Sequence, residues 1–442
     1  MADGTGRTLE DDVVELCSRL IRFDTTNHGG GDAVGEREAA EYVAGVLTDA
    51  GLEPKVLESA PRRANVVARI PGADPDRPAL LVHGHLDVVP AEAADWSVHP
   101  FSGEVRDGYV WGRGAVDMKD MLAMVLAVAR HWAATGRRPQ RDVVLAFVAD
   151  EEDRGDYGAH WLVTEHPELF AGCTEAVSES GGFSYPVRAA NGRTARLYPV
   201  ATAERGSAWL KLVARGTAGH ASRNHPDNAV LHLTRAMTRL GEYQWPVRLT
   251  PAVQAYLERV GAALGVEVDL SDVDGTLERL GTAAEMVSFA VRNSSTPTFL
   301  RAGYKVNVRP SEAIGYVDGR VLPGTRDEFL ATVDELLGPQ VRREFLSDQP
   351  PVQAPLDTPL FDAMAEAVQA EDPEGVVVPF CMGGGTDAKA FAQLGIAGYG
   401  FTPMRTPDDF PTYGLAHGVD ERVPVSGLQS GVRMLERFLR RC

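Results

Sequence analysis

Cysteine is scarce in this sequence, which has four in 442 residues and no Cys-x-x-Cys pair. The four are spread along the chain, at Cys17, Cys173, Cys381 and Cys442. This spacing argues against a disulfide framework and against a thiolate zinc site, and it favours free thiols in a reducing compartment. We therefore expect a cytoplasmic protein. The sequence also lacks an apolar run as long as a membrane span, and its N-terminus lacks the basic and apolar regions of a secretory signal.

Basic residues are in the minority, because 44 Lys and Arg stand against 62 Asp and Glu and the net charge is -18. This negative excess argues against a nucleic-acid partner and against binding to an anionic membrane. The apolar fraction of 44% and the charged fraction of 24% are ordinary for a globular protein. A chain of 442 residues is too long for one compact core, so two domains are expected.

The apolar run 79–82 is typical of a buried strand, and it is followed at once by His83, His85 and Asp87. In open α/β sheets, ligands bind beyond the carboxyl ends of the strands. We interpret His85 as a metal ligand and Asp87 as the carboxylate that orients it. Taken alone, the stretch is explained equally well by solvated polar residues at the end of a strand.

Three further acidic positions follow predicted strands or precede a predicted helix. Asp117 lies just before the apolar helix predicted from Met118, Glu151 and Glu152 follow the apolar run 142–149, and Glu179 ends the run 175–179. Strands and helices alternate through this part of the chain. The predicted fold class is therefore α/β, with a mostly parallel, doubly wound catalytic sheet flanked by helices.

Two histidines and several carboxylates without cysteine suit zinc, cobalt or manganese. One Asp that bridges two ions, with one His and one carboxylate on each, is a minimal pair that activates a bridging water. A further carboxylate must stay free to take the proton of that water. Glu151 and Glu152 can divide these tasks, because neighbours at a strand end point in different directions. A solvated charge run is the alternative, and it fits Asp153 and Asp156 better.

The sequence pattern changes near residue 200. Residues 207–215 alternate polar and apolar, a helix is predicted over about 228–240, and strands are predicted over 304–310 and 313–322. We expect an inserted α+β domain over 200–348, between catalytic segments at 1–199 and 349–442. The stretch 241–298 is only weakly periodic and receives no assignment.

Six motifs, in this order, resemble the dizinc metallopeptidase family that includes aminoacylase, acetylornithine deacetylase, succinyl-diaminopimelate desuccinylase and glutamate carboxypeptidase. They are His85–Pro90, Gly112–Lys119, Asp150–Glu152, Glu179, Gly219–Ser222, and His417 with Glu421. The resemblance runs from about Leu16 to the C-terminus. It implies a metal-dependent amide hydrolase of the aminoacylase, dipeptidase or carboxypeptidase type.

The resemblance also implies the ligands of two zinc ions per subunit, with cobalt or manganese as possible replacements. His85 and Glu179 would hold one ion, Glu152 and His417 the other, and Asp117 would bridge them. In this scheme Glu151 is the general base and acid for a metal-bound hydroxide, and Asp87 orients His85. The peptide bond after Asp117 would be cis.

Further implications concern the inserted domain, which would be a lid that pairs two subunits of a homodimer. His220 would reach the partner's active site and stabilise the oxyanion. Asn307 and Arg320 would bind a free carboxylate of the substrate, together with the backbone at Gly385. An ion pair of Arg320 with Asp318 or Glu312 is the alternative for that arginine.

The expected substrates are N-acyl amino acids or short peptides with a free carboxylate. The chain departs from the family where Ser180-Gly181-Gly182, instead of Pro-Thr, follows Glu179. This departure affects the prediction of specificity more than the prediction of metal binding. Two other functions are compatible with the residues: a non-catalytic relative that binds a small ligand, and a dimetal phosphoesterase.

Overall fold

The computed structural model describes residues 8–442, apart from the side chain of Tyr413. The α-helices of the described residues are α1 (Leu9–Ile21), α2 (Arg37–Asp49), α3 (Lys119–Thr135), α4 (Ala159–Glu165), α5 (Ala229–Glu242), α6 (Pro251–Leu264), α7 (Val273–Leu280), α8 (Arg326–Leu337), α9 (Pro359–Glu371), α10 (Ala388–Phe391), α11 (Thr412–Leu415) and α12 (Val425–Arg441). None of these helices combines the length and the hydropathy that crossing a bilayer requires.

The strands of the first half are β1 (Asn27–Gly29), β2 (Asp32–Ala33), β3 (Lys55–Ala60), β4 (Arg63–Ile70), β5 (Ala79–His85), β6 (Glu104–Arg106), β7 (Tyr109–Trp111), β8 (Val143–Val148), β9 (Cys173–Ser178), β10 (Tyr185–Arg188), β11 (Thr194–Glu204), β12 (Gly206–Arg215) and β13 (Gly219–His220). Those of the second half are β14 (Ser294–Ala302), β15 (Val308–Arg309), β16 (Glu312–Val321), β17 (Val341–Gln349), β18 (Val352–Gln353), β19 (Val376–Met382), β20 (Ala397–Gly400) and β21 (Arg422–Pro424).

The largest sheet has ten strands in the order β10-β11-β20-β9-β5-β8-β4-β3, with β18 and β19 also paired to β11. Its central strands β20, β9, β5 and β8 are parallel, and antiparallel strands flank them. Every residue of β5 and β8 is buried, which explains why both are continuous apolar runs, apart from the histidines at the end of β5, instead of alternating. Because these strands are parallel, their carboxyl ends meet at one edge of the sheet.

Helices cover both faces of this sheet. On one face α1, α2, α3, α9 and α12 share a core with β4, β5 and β8. On the other face, α4 and α10 bury Leu162 and Phe391 against β5, β8 and β9. The predicted α/β class with helices on both sides of a sheet that is parallel at its centre is confirmed.

A second sheet is antiparallel, with the order β14-β16-β12-β17. Alternate residues of β12, including Leu210 and Leu212, pack under α5 and α8 and form a separate core. Trp209 of β12 and Arg320 of β16 belong to the opposite face of this sheet, which these two helices leave open.

The stretch 241–298 is mainly helical and contains α6 and α7. Helix α6 packs against β11 and β19 of the large sheet, and its Val253 and Leu257 share a core with Val378 and Phe380. We therefore propose that the inserted domain consists of 206–246 and 292–349, and that the helices between these segments belong to the catalytic domain.

The strand predicted over 304–310 is wrong except at its end, where Val308–Arg309 forms β15. The side chains of Tyr304 and Val306 are 81% and 98% exposed. Their alternation with polar residues suggested a strand, but no core lies beneath them. The segment that carries Asn307 is a loop.

Candidate metal centre

The five predicted ligands lie together where the central strands of the large sheet end. His85 is the last residue of β5, Glu152 lies just after β8, and Glu179 follows β9 directly. Asp117 precedes α3, and His417 lies in the loop after α11. Parallel pairing of β5 with β8 and β9 therefore explains why His85 meets Glu152 and Glu179, which lie 67 and 94 positions further along the chain.

Two donor groups share Asp117. The first is His85, Asp117 and Glu179, and the second is Asp117, Glu152 and His417, with the donor atoms of each group within 4.8 Å of one another. The His85 Nε2 atom lies 3.1 Å from Asp117 Oδ1 and 3.8 Å from Glu179 Oε1. The His417 Nε2 atom lies 3.3 Å from Asp117 Oδ2 and 3.1 Å from Glu152 Oε2.

The pKa values of these side chains indicate that additional positive charge is favoured at this position. Burial raises the pKa of Glu179 to about 7 and also raises the pKa of Glu152. Hydrogen bonds with Asp117 and Glu152 raise the pKa of His417 to about 10. Burial acts to lower the pKa of His85, but Asp117 and Glu179 outweigh it and raise that pKa well above its usual value. Protein groups alone therefore hold extra protons here, which cations can replace.

The donor set fits the expected zinc pair. Each group offers one imidazole nitrogen and carboxylate oxygens without sulfur, and Asp117 has one oxygen facing each histidine. The Oε1 atom of Glu152 is buried and has no hydrogen-bond partner among the described residues. A buried carboxylate oxygen left in that state is unfavourable unless a cation completes its surroundings.

A comparison with known families decides the identity. Residues 81–441 match the sequence model described as "Peptidase family M20/M25/M40". The chain belongs to this peptidase family. It is a metal-dependent hydrolase of amide bonds, and the resemblance predicted from the six motifs is confirmed.

Known relatives of this M20 peptidase cover most of its length. It is 28% identical over 379 residues to the human N-fatty-acyl-amino acid synthase/hydrolase PM20D1, covering 83% of this chain and 74% of that protein. It is 28% identical over 398 residues to human aminoacylase-1, covering 88% of this chain and 86% of that protein. Neither alternative function, a non-catalytic relative or a phosphoesterase, finds support in these matches.

Solved structures show the same fold. The M20 family metallo-carboxypeptidase Sso-CP2 from Sulfolobus solfataricus superposes with a TM-score of 0.70 at 18% identity, covering 97% of this chain and 99% of that chain. Human carnosine dipeptidase 1 superposes with a TM-score of 0.65 at 16% identity, covering 97% and 95%. A Bacillus subtilis M20 peptidase, YXEP, whose description says that it binds a dinuclear metal, has a TM-score of 0.61 at 14% identity, covering 98% and 97%.

In this M20 peptidase, Asp87 lies against His85, and its backbone oxygen comes closer to the imidazole than its carboxylate does. Its backbone oxygen, 2.9 Å from His85 Nδ1, is the acceptor that fixes the imidazole, and its carboxylate lies 3.6 Å away. The carboxylate instead accepts the backbone N–H groups of Glu151 and Glu152, each at 3.2 Å. Asn27 Nδ2 donates to it at 2.9 Å. Asp87 therefore positions the two glutamates as well as His85.

Glu151 is the neighbour of Glu152 in the sequence but belongs to neither donor group. Burial raises the pKa of Glu151 well above its usual value, and the nearby charge of Glu179 adds to that effect. A raised pKa suits a group that accepts a proton and later returns it.

Glu421 organises the loop before α3, a role that the sequence analysis did not assign. Its fully buried carboxylate accepts hydrogen bonds from Arg113 Nη1 at 2.6 Å and from the backbone N–H groups of Gly114, Val116 and Asp117 at 3.0, 2.8 and 3.2 Å. The Asp117–Met118 peptide bond is cis, as predicted. The signal in the sequence was an acid four residues after His417.

Asp150 is a second residue that the sequence analysis missed. Its carboxylate is paired with the buried Arg63 at 2.8 Å and accepts from Asn27 Nδ2 at 3.0 Å. Asn27 also bonds to Asp87, so this network joins the ends of β5 and β8. The sequence showed Asp150 only as part of the Asp150–Glu152 motif, since nothing near it reveals the distant arginine.

A cavity of about 190 Å³, the Arg320 cavity, lies between the two sheets. Its lining includes Glu151, Arg320, Gly385 and Lys389. The Arg320 guanidinium is paired with Asp318, at 2.8 Å from Nε and 3.0 Å from Nη2, so the ion pair considered from the sequence is present.

His220 and Asn307 are exposed, and neither belongs to the described lining of the Arg320 cavity. Their segments adjoin, because β13 pairs with β15 and Ala221 donates its backbone N–H to the backbone oxygen of Asn307 at 3.0 Å. His220 Nδ1 lies 2.8 Å from Ser222 Oγ. Their roles stay predictions.

Proposed function

We propose that this M20 peptidase is a dizinc hydrolase that cleaves N-acyl amino acids or short peptides carrying a free carboxylate. The observation that supports this most strongly is the pair of donor groups that share Asp117, with Glu151 beside them but outside both. Two zinc ions, when bound, would supply a water of lowered pKa and polarise the scissile carbonyl. The five ligands would hold the ions, and His85 would be held in turn by Asp87.

In this proposal Glu151 takes a proton at its carboxylate and delivers it to the leaving nitrogen. Its main chain is anchored on Asp87, which limits where the carboxylate can reach. Its half-buried position raises the pKa of Glu151, which favours its holding a proton between the two transfers.

The free carboxylate of the substrate would bind in the Arg320 cavity. Arg320 keeps Asp318 as a partner, so a second cation would strengthen the binding of a carboxylate. Lys389 supplies it, since its ammonium group lines the same cavity and donates to the Arg205 backbone oxygen at 2.8 Å. The side chain of Lys389 passes so close to Gly385 that a Cβ there would overlap its ammonium group. A larger residue at 385 would therefore displace the Lys389 ammonium group from this position.

We also propose a homodimer formed through the inserted domain. Strand β14 is an edge strand of the second sheet and exposes Phe299 and Leu300 by 41% and 49%. Exposed apolar edges pair readily with a second copy. His220 and Asn307 would then complete the partner's site. The four unpaired cysteines support a cytoplasmic location, because a reducing compartment keeps thiols free.

The test is hydrolysis of a panel of N-acyl amino acids and dipeptides by the zinc-loaded protein and by its Glu151→Gln variant. We expect the variant to keep both zinc ions and to lose about 10²–10⁴-fold in kcat, because its amide cannot carry the proton. Zinc content by mass spectrometry is the control. Full activity in the variant would remove Glu151 from this role, and an inactive wild type with two zinc ions would refute the proposed function.

A further inference from the structure

A second, smaller cavity adjoins the donor groups and shares no described lining residue with the Arg320 cavity. It measures about 80 Å³ and is lined by Val116, Asp117, Asp120, Glu179, Ser180, Phe183, Thr402, Met404, Thr412 and Ala416. Glu151 lines the Arg320 cavity, whereas Asp117 and Glu179 line this one, which we call the Asp120 cavity. The two cavities therefore offer separate places for the two parts of a substrate whose scissile bond lies at the metals.

Asp120 lines this cavity with a buried carboxylate that neither the donor groups nor the packing of the fold accounts for. It is 1% exposed and occupies the second position of α3. Its Oδ1 atom accepts the Met121 N–H at 2.7 Å, as an acid in a first helical turn does. Its Oδ2 atom is buried without a hydrogen-bond partner among the described residues. The helix terminus thus accounts for one carboxyl oxygen and leaves the other for a ligand.

Thr412 provides a second unpartnered group in the same cavity. Its Oγ1 atom is buried, and it too lacks a hydrogen-bond partner in the part of the chain that the structure describes. The remaining walls are largely apolar, with Val116, Phe183 and Met404 among them. Buried polar atoms without partners are unfavourable in proteins, so two of them in one small cavity indicate a ligand that satisfies both.

The acidic residues that line the cavity indicate which kind of ligand is favoured. Three of its lining residues are acids, and no Lys, Arg or His belongs to its described lining. Asp117 and Glu179 belong to the donor groups, but Asp120 belongs to neither. A hydrogen-bond donor, above all a cationic one, is therefore favoured opposite Asp120.

The size of the cavity limits the ligand further. At about 15 Å³ for each site that can hold a water-sized group, the cavity takes on the order of five non-hydrogen atoms. A small aminoacyl group fits within this limit, whereas a long aliphatic acyl chain does not.

The glycines after Glu179 help to form this cavity. A Cβ at Gly181 would lie 2.6 Å from the Pro199 oxygen, and one at Gly182 would lie 3.0 Å from the Pro403 nitrogen. Only glycines let this loop pack so closely on the neighbouring backbone and bring Phe183 to the cavity wall. The departure from Pro-Thr noted in the sequence thus shapes the acyl side of the site.

We infer that the Asp120 cavity binds the N-terminal residue of a dipeptide, with its α-ammonium group donating to Asp120 Oδ2 and Thr412 Oγ1. This inference rests on the proposed function and narrows its substrate class to dipeptides. With the carboxylate end bound in the Arg320 cavity as proposed, the acyl end would occupy the Asp120 cavity. Aminoacyl substrates are thereby preferred to simple acyl amino acids of the same shape.

The test compares L-alanyl-L-alanine with N-propionyl-L-alanine, which differs only by the missing amine. Binding is measured by calorimetry on the zinc-loaded Glu151→Gln protein, so that it does not depend on turnover. We expect the dipeptide to bind at least ten times more tightly. Adding Asp120→Asn should reduce this preference to less than threefold, and adding Thr412→Val should also reduce it. Equal affinities in Glu151→Gln, or a preference that survives Asp120→Asn with zinc retained, would overturn the inference.

Asp327→Asn is the matched control, because Asp327 occupies the same second position in α8 but is exposed and remote from both cavities. It should keep the full preference. If Asp120→Asn loses zinc, the inference is judged from the dipeptide preference of Glu151→Gln and from the reduction of that preference when Thr412→Val is added. Turnover by the wild type separates the two proposals. Hydrolysis of both compounds without a binding preference refutes only this inference, and a preference without hydrolysis of either refutes only the proposed function.

Discussion

At the scale of single residues, Asp117 and Glu421 depend on each other. Asp117 offers one oxygen to each histidine of the donor groups, at 3.1 Å for His85 and 3.3 Å for His417. Glu421 holds the backbone that carries Asp117, through three N–H groups and Arg113. A ligand shared by two ions must be placed more precisely than one that serves a single ion, so we expect the buried acid behind Asp117 to affect metal binding.

Glu421→Gln should weaken zinc binding by about 10–100-fold, because an amide cannot accept all four hydrogen bonds and the loop of Asp117 loosens. Competition with a zinc chelator measures the change. Glu436→Gln is the matched control, since Glu436 is also nearly buried and bonded to arginine and tryptophan, but lies far from the site in α12. Equal zinc affinities in wild type and Glu421→Gln would show that the loop holds its shape without this residue.

At the scale of elements, the parallel strands β5, β8 and β9 position most of the site, and their apolar sequences made that part predictable. His85, Glu152 and Glu179 each follow a run of buried residues, so the strand ends could be located from the sequence. Family resemblance then supplied the partners of Asp117. The arrangement of strands thus explains why the candidate ligands were found without a structure.

Other elements could not be predicted because their stability comes from distant contacts. Helices α6 and α7 lie in a weakly periodic stretch, and α6 is stabilised by packing on β19, more than a hundred residues away. The pairing of Asp150 with Arg63 joins positions 87 apart in sequence. The loop of Asn307 alternates polar and apolar residues as a strand does, yet Val306 is 98% exposed.

The β13–β15 pair supports a prediction about subunits. His220→Ala and Glu151→Gln should each be inactive alone, whereas a 1:1 mixture should regain about a quarter of wild-type activity, since half the dimers are hybrids with one complete site. Activity is assayed after the subunits have been mixed and exchanged. His225→Ala, on the same loop, is the control and should stay active. No recovery after proven exchange would place the action of His220 within its own subunit, or exclude it.

At the scale of the whole molecule, the fold buries groups that must change protonation when it unfolds. His83 is 2% exposed, and its ring packs on Phe391 with the centroids 4.6 Å apart. Burial lowers the pKa of His83 to about 3, and the charge of His85 adds to this effect. In the unfolded chain histidine titrates near 6.5. Below that pH the unfolded chain therefore binds a proton at His83, whereas the folded chain keeps this side chain neutral.

Stability of the metal-free protein should consequently be complete above pH 6.5 with respect to this group and should fall as the pH drops toward 3. Between pH 6.5 and 5.0, the free energy of unfolding of His83→Phe should fall by about 2 kcal/mol less than that of the wild type, because each pH unit corresponds to about 1.4 kcal/mol. Urea unfolding at both pH values measures this difference. The exposed His28→Phe variant should behave as wild type. Identical pH dependence in wild type and His83→Phe would contradict the assignment.

The central claim is that five side chains bind two metal ions through a shared Asp117. Zinc content per chain, measured by mass spectrometry after loading and dialysis, tests it most directly. We predict two zinc ions for the wild type, one for His417→Ala and none for Asp117→Ala. A wild type that retains no zinc, or an Asp117→Ala variant that retains two, would contradict the claim.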